Sequence, residues 1–205
     1  MVRVLALVTQ LLVALAHWSS PEDSARYMRR CIELAKDAVA HGGGPYGAII
    51  VDPSTGDIYE GRNHAGRNPI WHGEIAAITN FSEIIAPASV YSMAPRFELY
   101  TSAEPCPMCM SAIAWSGFGR VVYGTSIPFI EQHGGQQIDL RASEVVAKSP
   151  KHILLETLLN NETDPLYANG AAALHHDHGH DHGHNHGEEE FVRSIATDRV
   201  RDIQL

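Results

Sequence analysis

A histidine and two cysteines, at positions 72, 106 and 109, have the types and the spacing of a zinc site. Imidazole and thiolate are ligands that Zn²⁺ prefers, and three protein ligands leave a fourth position open for water, as in catalytic zinc sites. The remaining cysteine, Cys31, falls on an apolar helical face and is predicted to be a buried core thiol. We therefore predict one catalytic zinc ion held by His72, Cys106 and Cys109.

Glu74 follows His72 by two residues, too close in sequence to serve easily as the fourth zinc ligand. A carboxylate at that place is well positioned to move the protons of a bound water, whose pKa Zn²⁺ lowers to about 7. We therefore assign Glu74 as the catalytic general acid and base. The alternative is a structural zinc whose fourth ligand lies elsewhere. However, neither the segment around His72 nor the segment around Cys106 and Cys109 contains a third cysteine.

The zinc motif has two halves, His72 with Glu74 and Cys106 with Cys109. Each half is predicted to stand at the start of a helix, where free N–H groups and the helix dipole favour thiolates. Ser20 and Pro21 are typical of a helix start, and Gly117 of a helix end. Helices alternate with strands, which predicts a three-layer α/β/α sandwich. The predicted helices span residues 21–39, 72–85, 107–115 and 141–147, and the predicted strands span residues 45–51, 58–61, 97–102, 120–124 and 152–158.

The charge of the chain argues against nucleic acid as a partner. The net charge is −9, and residues 20–168, the presumed catalytic domain, contain 11 Lys/Arg against 17 Asp/Glu. Proteins that bind nucleic acid usually need a basic face to neutralise phosphates. In this body Arg29 and Arg30 form the only cluster of basic residues. A small-molecule substrate is therefore favoured.

Residues 1–19 have the layout of a secretory signal peptide, with Arg3 before an apolar run and a small-residue cleavage pattern at residues 14–16. The run is too short to span a membrane. Cleavage within residues 1–16 would place the protein in the secretory pathway or outside the cell. The alternative is an apolar leader that packs on the body of a cytoplasmic protein.

The last segment, residues 169–205, has a different composition. Seven histidines lie between His175 and His186, interleaved with Gly, Asp and Asn, and such a sequence cannot bury a core. We predict a mostly disordered tail that binds additional Zn²⁺, Ni²⁺ or Cu²⁺ weakly. The alternative is a solvated segment without a metal role.

Residues 20–165 resemble the cytidine-deaminase superfamily, in particular its guanine deaminase and nucleoside deaminase branch. The zinc motif is that of the zinc deaminases, H-x-E followed by P-C-x-x-C. Similar blocks are Pro-Tyr-Gly-Ala-Ile-Ile-Val at residues 45–51, Gly-Arg-Asn-His at 61–64 and Leu-Tyr-Thr-Ser-Ala-Glu-Pro-Cys-Pro-Met-Cys at 99–109. The resemblance implies a CMP/dCMP-type zinc deaminase domain with a five-stranded mixed sheet, commonly assembled as a homodimer. It also implies that Asn63 hydrogen-bonds the base, whose pocket Ala48 and Trp115 line.

Three departures from that pattern bear on the substrate. Gly73 stands where most purine deaminases have alanine and where small cytosine deaminases have glycine. Trp71 is bulkier than usual before the ligand histidine and is predicted to narrow the substrate pocket. Residues 127–139 lack the acidic pair expected to hold guanine. The tRNA adenosine deaminases share the zinc blocks, but the acidic body fits them poorly.

The sequence thus favours zinc-dependent hydrolytic deamination of a free purine base or nucleoside, with release of ammonia. A cytosine- or cytidine-type pyrimidine deaminase is the alternative within this class. The alternative of another class is a zinc-binding scaffold with a metal-sequestering tail, and the presence of Glu74 argues against it.

Overall fold

The computed structural model describes residues 18–85 and 94–168. The predicted signal peptide, apart from residues 18 and 19, and the predicted His-rich tail lie outside these residues. Both remain predictions. Within the described part of the chain, no helix is both long enough and apolar enough to cross a bilayer.

The sheet has five strands in the order β2-β1-β3-β4-β5. Its central strand β3 pairs antiparallel with β1 and parallel with β4, while the outer pairs are antiparallel β1–β2 and parallel β4–β5. This mixed five-stranded sheet is the one that the resemblance implied. The strands are β1 (Gly47–Val51), β2 (Ile58–Arg62), β3 (Glu98–Ala103), β4 (Arg120–Thr125) and β5 (Leu154–Thr157).

Helices cover both faces of the sheet, which confirms the predicted three-layer sandwich. Because side chains alternate along a strand, Ile49 and Val51 pack beneath the first helix with Tyr27 and Met28. Other side chains of the same strands, such as Ile50, pack on the opposite face. The helices in chain order are α1 (Pro21–Ala40), α2 (Gly73–Ile84), α3 (Pro107–Ser116), α4 (Ile127–Gln132), α5 (Ala142–Lys148) and α6 (Asn160–Thr163).

Helix α1 begins as the sequence predicts. The Ser20 side chain accepts a hydrogen bond from the Asp23 backbone N–H, and Pro21 occupies the first helical position. Cys31, on the buried face of α1, has no exposed surface, and burial raises its thiol pKa. The prediction of a core thiol is confirmed.

A glycine lets β2 approach α2 closely enough to place the start of that helix. A Cβ atom at Gly61 would lie 2.2 Å from the Ala77 backbone nitrogen and 2.3 Å from the Gly73 carbonyl oxygen. Any side chain there would push α2 away from the sheet.

Two short helices, α4 and α6, were not predicted. Helix α4 spans only six residues, too few for a helical period to be visible in the sequence. Its local start signals are nevertheless present, since Ser126 caps it and a proline lies in its first turn. Helix α6 follows Leu159, whose φ of 54° is in the left-handed region.

Candidate active site

His72 and Cys106 are the N-cap residues of α2 and α3, so both halves of the motif stand at helix starts as predicted. The His72 carbonyl accepts a hydrogen bond from Ala76 N at 3.0 Å, and the Cys106 carbonyl accepts one from Met110 N at 2.8 Å. Each side chain therefore projects from a backbone position fixed by the first turn of its helix. The positive ends of the two helices meet at the site and favour negatively charged ligands there.

The structure brings His72, Cys106 and Cys109 together. Their candidate ligand atoms all lie within 4.8 Å of one another. The Nδ1 atom of His72 is 3.7 Å from the Sγ atom of Cys106. One imidazole nitrogen and two sulfur atoms at this spacing form a donor set suited to zinc.

The thiols of Cys106 and Cys109 compete for one negative charge, because the ionisation of one affects the pKa of the other. A hydrogen bond from Cys109 lowers the pKa of Cys106 to about 4, and His72 also favours the Cys106 thiolate. The same contact with Cys106 raises the pKa of Cys109. A divalent cation would relieve this competition because it stabilises both thiolates. These residues therefore fit a metal ion.

Glu74 lies in the first turn of α2 and is 4% exposed. Burial raises the pKa of its carboxyl group, and the neighbouring Cys106 raises it further. Glu74 lines the same cavity as His72 and Cys106, and its carboxyl group is hydrogen-bonded to the third candidate ligand, Cys109. A buried carboxyl group with a raised pKa can both accept and return a proton.

A cavity of about 380 Å³ opens beside this cluster, a size typical of small-molecule sites. None of the described residues that line it is Lys or Arg. The lining residues are Gly44, Tyr46, Asn63, Ala65, Pro69, His72, Glu74, Glu104, Cys106, Met108, Gln136, Gln137 and Ile138.

Asn63, one of the predicted substrate residues, lines this cavity and is 3% exposed. Its Oδ1 atom accepts hydrogen bonds from the backbone N–H groups of Gly44 at 3.1 Å and Ala65 at 3.0 Å. Both bonds hold the amide plane in one orientation. The Nδ2 group is thereby left as the donor for a ligand.

The other three predicted substrate residues do not line the cavity. Ala48 is completely buried in the core between the sheet and α2, because the alternation of β1 points it into that layer. Trp115 is 77% exposed and lines a separate cavity beside α5, since it projects from a different side of α3 than Cys109. Trp71 is 41% exposed and is not among the residues that line the cavity in the single chain. The roles of Ala48, Trp115 and Trp71 at the substrate pocket remain predictions.

Sequence reasoning missed the cavity wall formed by Gln136, Gln137 and Ile138. These residues follow α4 and reach the site only through the tertiary fold. The available signal was their position after the fourth strand, in the segment that departs from the guanine deaminase pattern. Tyr46 was also missed, although it lies within one of the blocks that carry the resemblance.

The family model for the cytidine and deoxycytidylate deaminase zinc-binding region matches residues 21–125. The chain belongs to this family. It is 37% identical to guanine deaminase from Bacillus subtilis over 100 residues, which cover 47% of this chain and 61% of that protein. It is 29% identical to cytosine deaminase from Candida albicans over 141 residues, covering 64% of this chain and 89% of that protein. A solved guanine deaminase structure from Nitrosomonas europaea superposes with a TM-score of 0.59 at 26% identity, covering 76% of this chain and 86% of that one.

In this deaminase-family member, aromatic rings support the candidate ligand histidine. The Tyr46 ring is nearly parallel to the His72 ring, with an interplanar angle of 9° and centroids 6.4 Å apart. Tyr167 packs on Tyr46 at 5.4 Å and donates a hydrogen bond to the Pro45 carbonyl at 2.8 Å. The segment that follows β5 is therefore part of the support of the site.

Proposed function

We propose that this protein hydrolytically deaminates a free purine base or its nucleoside, with guanine as the leading candidate substrate. The observation that carries the proposal is the buried Glu74 carboxyl group, which lines one cavity with His72 and Cys106 and contacts Cys109, the third residue of the candidate metal cluster. These three residues would hold Zn²⁺. The ion would supply a Lewis acid and lower the pKa of water to about 7.

Glu74 then performs the proton transfers. Its carboxylate accepts a proton from the attacking water and donates it to the ring nitrogen beside the amine-bearing carbon. After the water oxygen has bonded to that carbon, the second water proton passes through Glu74 to the amine, which leaves as ammonia. The carbon keeps the oxygen as a carbonyl group. Asn63 Nδ2 orients the base by donating a hydrogen bond to it.

The charge of the cavity supports an uncharged substrate. A nucleotide phosphate is commonly bound by Arg or Lys, and none of the described lining residues is Lys or Arg. The two helix N-termini at the cavity carry the candidate metal ligands His72 and Cys106. A base or nucleoside needs no such group. The acidic composition of the body likewise supports a small molecule in preference to tRNA.

The alternative within this class is a cytosine or cytidine substrate, which Gly73 favours. A Cβ atom at that position would lie 3.1 Å from the Tyr46 carbonyl oxygen and 3.3 Å from Gly47 Cα. The backbone around Tyr46 is therefore closer to α2 than an alanine would comfortably allow. The site shape thus differs from that expected with the alanine typical of purine deaminases.

The alternative of another class is a zinc-binding scaffold. A carboxyl group is costly to bury unless it is paired or has a function. A protein that only stores zinc has no need for Glu74 in the metal cavity, so this alternative is disfavoured.

Ammonia release from guanine, adenine, cytosine, their nucleosides and a tRNA anticodon stem-loop tests the proposal. We expect turnover of a purine base or nucleoside and none of the stem-loop. Turnover of cytosine or cytidine alone would establish the pyrimidine alternative. One zinc ion per chain without ammonia from any compound would favour the scaffold.

We also propose that the protein is a homodimer. The exposed Trp115 lines an apolar cavity of about 320 Å³ with Leu140 and Val145, a surface suited to a second copy of the chain. Sedimentation should give twice the monomer mass, and Trp115→Glu should give the monomer mass. A wild-type monomer would contradict the proposal.

For the tail we propose weak binding of additional Zn²⁺, Ni²⁺ or Cu²⁺ by the histidines between His175 and His186. Deletion of residues 169–205 should lower total metal capacity and slow recovery of the metal-free enzyme when zinc is scarce. The rate in excess zinc should be unchanged. Equal recovery at limiting zinc would remove the reservoir role.

A further inference from the structure

The Glu104 carboxylate connects the segment just before the candidate ligand Cys106 to two helices. Its side chain is 1% exposed and accepts hydrogen bonds from the backbone N–H groups of Ile127 and Ala142, each at 3.0 Å. The Arg141 guanidinium adds Nε contacts at 2.8 and 2.9 Å and an Nη2 contact at 2.8 Å. Charge-assisted bonds of this multiplicity fix both partners in one geometry.

These contacts bracket one wall of the cavity. Ile127 is the first residue of α4 and Ala142 the first residue of α5. The connecting residues 133–141 contain Gln136, Gln137 and Ile138, which line the cavity. Glu104 therefore fixes the first residue of α4 and the first residue of α5, which follows the wall segment in the sequence.

The wall itself makes weaker contacts with the rest of the site. Gln137 Nε2 is 3.4 Å from the Tyr46 hydroxyl oxygen, a long hydrogen bond. Ile138 is 64% exposed. The position of the wall relative to the ligands thus depends strongly on Glu104, which precedes Cys106 by two residues.

We propose that Glu104 and Arg141 are positioning residues that hold residues 136–138 against the cavity and thereby set the affinity for the substrate. This inference rests on the proposed deaminase function. Because the ion pair already fixes residues 136–138, substrate binding does not have to order them. The affinity for the substrate is therefore higher. The reacting groups at His72, Glu74, Cys106 and Cys109 are held separately by α2 and α3. Loss of the pair therefore raises KM more than it lowers kcat.

The variants Arg141→Leu and Arg141→Lys test this role, with Arg120→Leu as the matched control. Arg120 also pairs with a buried carboxylate, Glu98, but at the opposite end of β3 and β4 from the site. It therefore reports the effect of losing a buried ion pair in the same fold. Zinc content, kcat and KM for the best substrate, and amide hydrogen exchange of residues 133–140 are measured for each protein.

We expect Arg141→Leu to keep one zinc ion per chain, to raise KM about tenfold or more, and to change kcat less. Exchange at residues 133–140 should accelerate, and Arg141→Lys should fall between Arg141→Leu and the wild type. Arg120→Leu should leave KM and exchange in this segment unchanged. Unchanged exchange, or faster exchange with unchanged KM, would overturn the positioning role while the deaminase function stands. A wild-type protein without any turnover would overturn the proposed function itself, and this inference with it.

Discussion

His72 Nδ1 and Cys106 Sγ lie 3.7 Å apart although 34 residues separate them in the sequence. Each residue is the N-cap of a helix, and both helices pack on the same face of the sheet. The site is therefore an outcome of helix placement. Changes that move α2 or α3 as a whole should disturb metal binding as much as changes to the ligands.

Cys109→Ala should lower the zinc content well below one ion per chain after dialysis, because one of three ligands is lost. The matched control is Cys31→Ala, which removes a buried thiol from α1 outside the site. Zinc analysis of tail-deleted versions of both variants excludes metal bound by the histidines. Tight zinc in Cys109→Ala would show that Cys109 is not a ligand.

Much of this site follows from the sequence because its signals are local. His72, Glu74, Cys106 and Cys109 lie within short motifs at helix starts, where residue types and capping preferences restrict the backbone. The central strands were equally visible, since continuous apolar runs such as residues 47–51 are typical of buried strands.

The cavity wall at residues 136–138 did not follow from the sequence because it forms only through tertiary contacts. Gln136 and Gln137 have no periodic pattern, and the bonds of Glu104 that place them span more than twenty residues. The orientation of Trp115 did not follow from the sequence either. In the single chain it lines the cavity beside α5, because the direction of a residue late in α3 depends on how that helix is rotated against its neighbours.

Asn63→Asp and Asn63→Ala should separate substrate binding from loop structure. Aspartate retains an acceptor for the Gly44 and Ala65 amides but removes the Nδ2 donor. We expect kcat/KM to fall about tenfold or more in both variants, with a lower melting temperature chiefly in Asn63→Ala. Near-normal kcat/KM in Asn63→Asp would show that the donor is not used.

Gly61→Ala should destabilise the protein by about 1–3 kcal/mol, because the added Cβ overlaps the backbone of α2. Zinc affinity should also fall, since the same helix carries His72 at its start. Gly66→Ala is the control, as its Cβ would make only an ordinary 3.6 Å contact. Denaturant unfolding and zinc titration measure both effects, and equal stability of the two variants would contradict the packing argument.

Asp52 should make part of the fold stability dependent on acid pH. Burial raises the pKa of its carboxyl group, but hydrogen bonds from Ser54 and the charge of Arg96 outweigh burial and lower the pKa overall. A depressed folded-state pKa adds stability above the unfolded value of about 3.9, and this stability is lost as the pH falls through the folded value.

Asp52→Asn should therefore unfold about 2 kcal/mol more easily than the wild type at pH 7. The difference should shrink below about pH 4, as measured by denaturant unfolding over a pH series. A difference that persists undiminished at acid pH would show that the charge of Asp52 does not contribute.

The most direct test of the proposed chemistry compares ammonia release by wild-type protein and Glu74→Gln, both carrying one zinc ion per chain. Glutamine keeps the size of Glu74 but cannot transfer the proton, so the rate with the best substrate should fall about 10²–10⁴-fold while zinc content is unchanged. A zinc-replete Glu74→Gln protein with a near-normal rate would contradict the assignment of Glu74 as the proton-transferring residue.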